Sequence, residues 1–352
     1  MTPAALGFRM PAEWESHAAT WLTWPRREGI SFPGIYDRIP PVFAAMVRAI
    51  SPHEPVHINV WDEKMENEAR DALREGGSLN GQIHFHHFPA YEPWARDHGP
   101  VFVVDKTSRA IVDWGFNAWG EKYPPFDLDN EIPGQIAWIR SLKTFNPDMI
   151  LEGGSIDTNG RGTLLTTESC LLNQNRNPGL SRGDIEQRLR DFLGVTQILW
   201  LGDGIVGDDT DGHVDNLARF VDAHTVAVAV ENNPADKNHL PLQLNLERLQ
   251  SMNDQNGQPL RIVELPLPSP VHHEGERLPA SYVNFYVTNG SVLVPIFRDS
   301  NDAQALKILG ELFPNREIVG IDSTDLAWGL GSIHCLTMQE PAPNTIDQPG
   351  NL

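Results

Sequence analysis

Cysteine is scarce in this sequence of 352 residues, which contains only Cys170 and Cys335. Two cysteines 165 positions apart exclude a disulfide framework, and they also exclude a thiolate-rich zinc site built on CxxC pairs. A role as a single reactive thiol stays open for one of them.

Basic residues are also few, with 27 Lys and Arg against 47 Asp and Glu and a formal net charge of -20. A protein that grips a phosphate backbone needs a basic footprint, so this balance argues against a nucleic-acid partner. A negative field attracts small cations instead. The composition therefore favours a small cationic substrate.

Long apolar runs are absent. The segment Met1–His17 has no basic stretch followed by an apolar one, and runs such as Val101–Val104 and Val226–Val230 are far shorter than the ~20 residues that span a bilayer. We therefore expect a cytosolic protein with no membrane role. No low-complexity linker divides the chain, so we expect one catalytic domain over residues 1–340 and a C-terminal tail over 341–352.

One pattern recurs at roughly 50 to 65 residues, in which two alternating apolar segments flank a turn signal. It predicts four hairpins: Val101–Asp113, Ile156–Thr167, Leu217–Val230 and Val283–Pro295. A fifth strand is expected over Ile333–Thr337, and helical spacing is found in Ile39–Ile50, Lys64–Arg74, Arg182–Phe192, Leu242–Met252 and Ala303–Phe313. These repeats predict an α/β fold in which strand and helix units form a radial, propeller-like array.

Polar residues stand at equivalent places in these repeats. Asp97, Glu152 and the pair His213 and Asp215 each come just before a predicted hairpin, and Cys335 falls in the expected final strand. If equivalent strand ends point to one axis, these side chains meet there.

Two interpretations are open for the segments around Asp97 and Glu152: each residue belongs to a buried functional site, or it has an ordinary structural role in a turn. In Glu92–Pro100, Asp97 could bind a guanidinium through two N–H groups, or it could form a surface pair with Arg96 that closes a turn. In Leu151–Gly154, Glu152 is followed by two glycines that permit close approach, or it is a solvated turn residue.

The segment Gly207–Asp215 crowds four carboxylates around His213, which suggests a metal site. The spacing does not fit an EF-hand loop, and no second histidine lies three or four residues away, as a helical zinc motif would require. Two interpretations remain: an imidazole whose pKa the carboxylates raise, suited to acid and base catalysis, or a solvated acidic loop.

The two cysteines differ in their surroundings. Cys335 follows the glycine-containing segment Gly329–Ser332, where backbone can approach a ligand closely, whereas Cys170 lies in Thr166–Leu172, where a buried structural cysteine is expected. We therefore take Cys335 as the candidate nucleophile and Cys170 as a structural residue, although many lone cysteines are simply small core residues.

Together these segments resemble the agmatine deiminase family, which belongs with the related bacterial peptidylarginine deiminases to the guanidine-modifying, or pentein, superfamily. The matching segments run nearly from end to end: Met10–Glu15, Trp21–Pro25, Trp94–Pro100, Phe116–Gly120, Leu151–Gly154, Asn173–Pro178, Asp208–Asp215, Ser281–Tyr286 and Ile333–Thr337. The resemblance implies a five-bladed αβ-propeller of ββαβ repeats around a central active-site channel.

The resemblance also implies a mechanism and a site. Cys335 attacks the guanidinium carbon, His213 transfers protons, Asp97 and Asp215 bind the guanidinium nitrogens, and Glu152 orients the site. No metal or organic cofactor is implied. Two further substrate contacts are expected, namely Trp94 against the methylene chain and a polar contact from Asp209. The sequence departs from the family's usual three glycines and an asparagine before the nucleophile, since it reads Gly329–Ser332 as Gly-Leu-Gly-Ser.

The sequence is compatible with three functions. The first is hydrolysis of agmatine to N-carbamoylputrescine and ammonia, a step towards putrescine. The second is deimination of arginine or of arginine residues in peptides, and the third is a catalytically silent guanidinium-binding scaffold. Assembly into a homo-oligomer is left open by the sequence.

Overall fold

The computed structural model describes residues 1–343 and has a mixed α/β architecture built on five separate sheets. In each sheet an antiparallel pair is joined by a third strand that runs parallel to the second. The first sheet contains, in spatial order, Thr337–Pro341, His17–Thr23, Val56–Val60 and Ile83–His87. The other four contain Val101–Val104, Arg109–Val112 and Lys143–Phe145; Asp157–Thr158, Thr163–Thr167 and Gln197–Leu201; Ala218–Phe220, Thr225–Val230 and Arg261–Pro266; and Tyr286–Val287, Ser291–Ile296 and Glu317–Asp322. A small separate hairpin pairs His272–His273 with Glu276–Arg277.

A helix connects the second strand to the third in every one of these units, which makes each a ββαβ repeat. In sheet order these helices are Ile39–Ile50, Asp127–Arg140, Arg182–Leu193, His239–Gln250 and Asp302–Leu312. The remaining α-helices of the described part are Glu63–Glu75, Ala95–His98, Ala118–Glu121 and Glu168–Leu171, and short 3₁₀ turns are found at Ala4–Leu6, Tyr36–Arg38, Gly153–Ser155, Val214–Asn216 and Ala327–Gly329.

Local sequence explains most of these elements. The helix Ile39–Ile50 buries Ile39, Phe43 and Met46 on one face at helical spacing, and Ser181 forms a capping box with Asp184 at the start of Arg182–Leu193. The four predicted hairpins and all five predicted helices are confirmed, with boundaries that shift by no more than three residues.

The last strand differs from the expected one. It begins at Thr337, not at Ile333, so Cys335 lies in the turn that precedes the strand. The cause is a distant side chain: Asn284 Oδ1 accepts the backbone N–H of His334 at 3.0 Å and that of Cys335 at 3.4 Å. These N–H groups are therefore not available to a sheet ladder.

Segments near the two ends of the described chain meet in the first sheet, where His17–Thr23 pairs antiparallel with Thr337–Pro341. Pro341 is the last residue of that strand, and the N–H of Ala342 donates to Ser16 O at 2.7 Å. Residues 344–352 of the expected tail lie outside the described residues. Within residues 1–343, the helices are all too short or too polar to cross a membrane.

Candidate active site

The candidate residues lie at the start of successive repeats. Asp97 is in the helical turn Ala95–His98, Glu152 precedes the turn Gly153–Ser155, and His213 and Asp215 flank the start of Val214–Asn216. Each of these turns leads directly into the first strand of a hairpin. The structure brings all of these side chains and Cys335 to one buried centre, as the repeat pattern predicted.

His213 lies between two carboxylates. Its Nδ1 is 3.6 Å from Asp97 Oδ1, and its Nε2 is 3.8 Å from Glu152 Oε2. Asp97 is fixed by two donors, the N–H of Gly154 to Oδ1 at 3.1 Å and Trp119 Nε1 to Oδ2 at 3.0 Å. Asp97 is buried, and it does not pair with Arg96, so the surface-pair interpretation of this segment is wrong.

Glycine is required at position 154. A Cβ atom there would lie 2.6 Å from His213 Nδ1, 2.7 Å from Asp97 Oδ1 and 3.0 Å from Asp215 Oδ2. The three polar atoms therefore converge on the same small region, and a side chain would fill it. Two carboxylates and an imidazole in this arrangement suit a planar cation that donates several N–H bonds.

Cys335 borders this region. Its Sγ accepts a hydrogen bond from Asn284 Nδ2 at 3.2 Å and lies 3.6 Å from Asp215 Oδ2. Cys335 also lines a cavity together with Asp97 and Trp119. A ligand held between the carboxylates would thus lie beside the thiol.

Asp215 is held in place from behind. His334 bridges it to Glu13, with Nδ1 2.8 Å from Asp215 Oδ2 and Nε2 2.9 Å from Glu13 Oε2. Glu13 in turn pairs with Arg96 at 3.0 Å and with Arg219 at 2.9 Å. Among the described residues Asp215 Oδ1 has no hydrogen-bond partner, although it is buried. An unpartnered buried carboxylate oxygen is costly unless a ligand satisfies it.

The protonation states follow from burial and charge. Burial, with Asp215 and Glu152 nearby, raises the pKa of Asp97 to about 6, although His213 opposes this. Burial alone would lower the pKa of His213, but Asp97, Cys170 and Glu152 together raise it well above its usual value. Burial and the neighbouring carboxylates raise the pKa of Cys335 well above that of a free thiol. The unliganded site therefore holds an imidazolium and a neutral thiol.

These pKa shifts predict the pH dependence of kcat/KM. Below about pH 6 Asp97 becomes protonated and loses the charge that attracts a cation, so kcat/KM should fall about tenfold for each further pH unit. At high pH His213 loses its proton, and kcat/KM should fall again. Initial rates at limiting substrate concentration from pH 4.5 to 10 measure this bell-shaped dependence of kcat/KM on pH. A kcat/KM that stays constant from pH 7 down to pH 5 would contradict the assignment of Asp97.

Asn284 is a site residue that the sequence interpretation did not identify. It stands just before Tyr286–Val287, the first strand of the sheet that also contains Ser291–Ile296 and Glu317–Asp322. Its place in that repeat therefore matches those of Asp97 and Glu152 in theirs. The repeat itself was the signal that could have found it. Its amide donates to the sulfur, and this bond opposes the upward shift in the pKa of Cys335.

Replacing Asn284 by Asp should raise the pKa of Cys335 by about one to two units, because the variant keeps the acceptor oxygen but loses the donor and adds a negative charge. The rate of alkylation by iodoacetamide as a function of pH measures that pKa. The exposed Asn256→Asp is the matched control, since it makes the same charge change far from the thiol. An alkylation midpoint equal in both variants would remove Asn284 from the site.

Arg176 is the second residue that the sequence interpretation missed. Its Nε donates to Glu152 Oε1 at 2.7 Å, and its Nη1 pairs with Asp211 at 2.5 Å. Burial alone would raise the pKa of Glu152, but the charges and hydrogen bonds of Arg176 and His213 together lower it. Glu152 is thus an ionised, fully buried carboxylate facing His213, and not a solvated turn residue.

The acidic loop around His213 is not solvated as a whole. Asp208 accepts the backbone N–H of His213 at 3.2 Å, and Asp211 pairs with Arg176 and Lys122. Asp209 lines the cavity as expected, but its carboxylate already accepts the Tyr123 hydroxyl and lies 3.4 Å from Lys122 Nζ. Among the described residues, none of the carboxylates of this loop belongs to a cluster with metal-binding geometry; His213 does, together with Glu152 and Cys170 from outside the loop.

Trp94 lines the cavity, and its contact with a substrate methylene chain stays a prediction. Its Nε1 donates to Ser31 Oγ at 2.9 Å, and a Cβ at Gly331 would come within 2.4 Å of the indole ring. The neighbouring Leu330 adopts a left-handed conformation with φ of 66°, which costs a non-glycine residue about 1–2 kcal/mol. The segment Gly329–Ser332, which departs from the family pattern, therefore keeps Gly331 at the position where the Trp94 indole packs. At position 330 it has a leucine in a backbone conformation that a glycine would adopt without strain.

Comparison with known proteins gives consistent matches over nearly all of the chain. The model of the Porphyromonas-type peptidyl-arginine deiminase family matches residues 9–341. An agmatine deiminase of Pseudomonas aeruginosa (strain LESB58) is 40% identical, over 97% of this chain and 98% of its own. Among solved structures, an agmatine deiminase of Enterococcus faecalis has a TM-score of 0.90 at 35% identity and covers 97% of both chains. A putative arginine deiminase from Porphyromonas gingivalis has a TM-score of 0.86 at 36% identity, over 95% of this chain and 98% of its own.

Proposed function

The chain belongs to the Porphyromonas-type peptidyl-arginine deiminase family, and we propose that it is an enzyme that hydrolyses agmatine to N-carbamoylputrescine and ammonia. One observation carries this proposal: Asp97, Asp215 and His213 converge on the space beside Gly154, next to the Cys335 sulfur. A cytosolic location and a part in putrescine synthesis belong to the same proposal.

In the first half of the reaction the guanidinium binds between Asp97 and Asp215. Its positive charge lies against the carboxylates that raise the pKa of Cys335, so substrate binding favours the thiolate, and the thiol proton leaves to solvent. The thiolate attacks the guanidinium carbon and forms a C–S bond, while His213 gives its proton to the departing nitrogen and ammonia leaves as the C–N bond breaks. The product of this half is an amidino-thioether on Cys335.

In the second half His213, now neutral, takes a proton from water, and the resulting hydroxide attacks the amidino carbon. The C–S bond breaks, the leaving sulfur takes up the proton of the added hydroxyl group, and the Cys335 thiol is released together with a ureido product. Glu152 faces the imidazole Nε2 throughout and stabilises its protonated form, and Arg176 holds Glu152 in position. The site performs the whole cycle with side chains of this chain.

We also infer that the five ββαβ units are the blades of a five-bladed propeller around this site. The support is positional: the segment that precedes each hairpin supplies one part of the centre. In order these parts are Asp97, Glu152, the pair of His213 and Asp215, Asn284, and Cys335.

The cavity favours agmatine over free arginine. Its carboxylates include Glu92, Asp97 and Asp209, and none of the described lining side chains is basic. The α-carboxylate of arginine would find no cation there and would meet like charge, whereas the ammonium of agmatine would be attracted. The apolar chain of either substrate would lie along the Trp94 indole.

We therefore expect kcat/KM for agmatine to exceed that for free arginine by at least about 100-fold. Ureido product formed from agmatine, free arginine and a blocked arginine peptide measures this directly. The peptide is the informative control, because it lacks the α-carboxylate charge but is bulky. Turnover of the peptide alone would replace the proposal by peptidylarginine deimination, and binding without ammonia release by folded, reduced protein would favour the silent scaffold.

A further inference from the structure

A second cluster lies behind His213, on the side away from Asp97. It consists of Glu152, Cys170 and the far side of the imidazole, and all three side chains are fully buried. Glu152 Oε2 is 3.8 Å from His213 Nε2 and 4.0 Å from Cys170 Sγ, and the three ligand atoms lie within 4.8 Å of one another. The structural interpretation of Cys170 from the sequence did not anticipate this position.

The spacing fits a small metal ion. A triangle with sides of 3.8, 4.0 and at most 4.8 Å has its centre about 2.5 Å or less from each corner. Zinc bonds to nitrogen, oxygen and sulfur measure roughly 2.0 to 2.3 Å, so a contraction of a few tenths of an ångström would complete the contacts. No large rearrangement of the backbone is needed.

The ligand atoms are also available. Both ring nitrogens of His213 lack a hydrogen-bond partner within residues 1–343, although they are buried. Arg176 occupies Glu152 Oε1 at 2.7 Å, whereas Oε2 lies 3.8 Å from His213 Nε2 and 4.0 Å from the Cys170 thiol. An imidazole, a carboxylate and a thiol that face one point, with no mutual contact at normal hydrogen-bond distance, are unusual in a packed core.

From this arrangement we propose that Glu152, Cys170 and His213 form an inhibitory Zn²⁺ site. On binding, the Cys170 thiol and the His213 imidazolium each release one proton to solvent, and S–Zn and N–Zn bonds form with no change of oxidation state. The ion takes Nε2 of His213 and Oε2 of Glu152, so the imidazole can no longer become protonated and support proton transfer. Borderline-soft Zn²⁺ suits a mixed nitrogen, sulfur and oxygen set, which hard cations such as Mg²⁺ do not favour.

The binding part of the proposal is tested without catalysis, by titrating the Cys335→Ala protein with Co²⁺. In this variant Cys170 is the only cysteine left, so thiolate-to-cobalt charge-transfer absorption can come from no other residue. We expect about one cobalt per chain with such a band, bleached by Zn²⁺. The double variant with Cys170→Ala is the control and should show no band. A folded Cys335→Ala protein without thiolate absorption would overturn the site.

The inhibitory part is tested in the enzyme with both cysteines, by the zinc concentration that halves agmatine turnover. Each protein is compared with its own zinc-free rate. The zinc concentration that halves this rate should be at least about ten times higher for Cys170→Ala than for the wild type, and a chelator should restore the activity of both proteins. Equal zinc sensitivity would place the inhibiting ion on Cys335 and overturn the role. This measurement rests on the proposed function, whereas the cobalt result stands if agmatine is not the substrate.

Discussion

Replacing Cys335 by Ala is expected to lower kcat for agmatine by at least about 10⁴-fold, the largest effect of any single change in this chain. Among the described residues, the Cys335 thiol is the nucleophile that lies beside the region where Asp97, Asp215 and His213 converge. Alanine fills a similar space in this buried turn, so the fold and the carboxylate pair should persist. Agmatine should still bind.

Ammonia release and intact mass during turnover measure this together. Wild-type protein should carry a transient amidino adduct, and Cys335→Ala should carry none. Cys170→Ala keeps the nucleophile and should still form the adduct, which makes it the matched control for the mass experiment. Turnover that survives in Cys335→Ala, or an adduct found on that variant, would exclude the covalent mechanism.

Replacing His213 by Asn should lower kcat by about 10³-fold, within the range that general acid and base groups contribute. The variant cannot protonate the departing nitrogen or activate water. It also removes the imidazolium from between Asp97 and Glu152, and the charge of this imidazolium opposes the upward shift in the pKa of Asp97. The acid limb of kcat/KM should therefore move above pH 6.

The measurements are kcat, the pH profile and the rate of adduct formation in a single turnover. His224→Asn is the matched control, because its imidazole is about half exposed and pairs with Asp254 away from the cavity. A fall in kcat of less than tenfold for His213→Asn, in protein that unfolds like the wild type, would assign proton transfer to another group.

Local patterns in the sequence were sufficient for much of the fold. Hairpins and helices were predictable because alternation, helical spacing and turn residues act over a few neighbours. The helix Asp127–Arg140 was missed because Pro133 and Gly134 within it are typical of a turn. The first sheet was also missed, because one of its pairings joins His17–Thr23 to a strand more than 300 residues away, for which a single sequence carries no local signal.

The sequence by itself identified the acidic, imidazole and thiol groups at the centre of the site, but not Asn284 or Arg176 beside them. The repeated placement before hairpins, together with the resemblance, identified Asp97, Glu152, His213, Asp215 and Cys335. Their catalytic roles remain predictions, whereas their convergence is a feature of the structure.

Only the tertiary structure decided how each of these groups is held. It placed Asn284 on the sulfur, Arg176 on Glu152 and His334 on Asp215, it showed that Asp209 already has partners, and it set Cys170 behind His213. The physical reason is distance along the chain. Hydrogen bonds and pKa shifts depend on a few ångströms between side chains from different repeats, and spacing within one segment does not fix those distances.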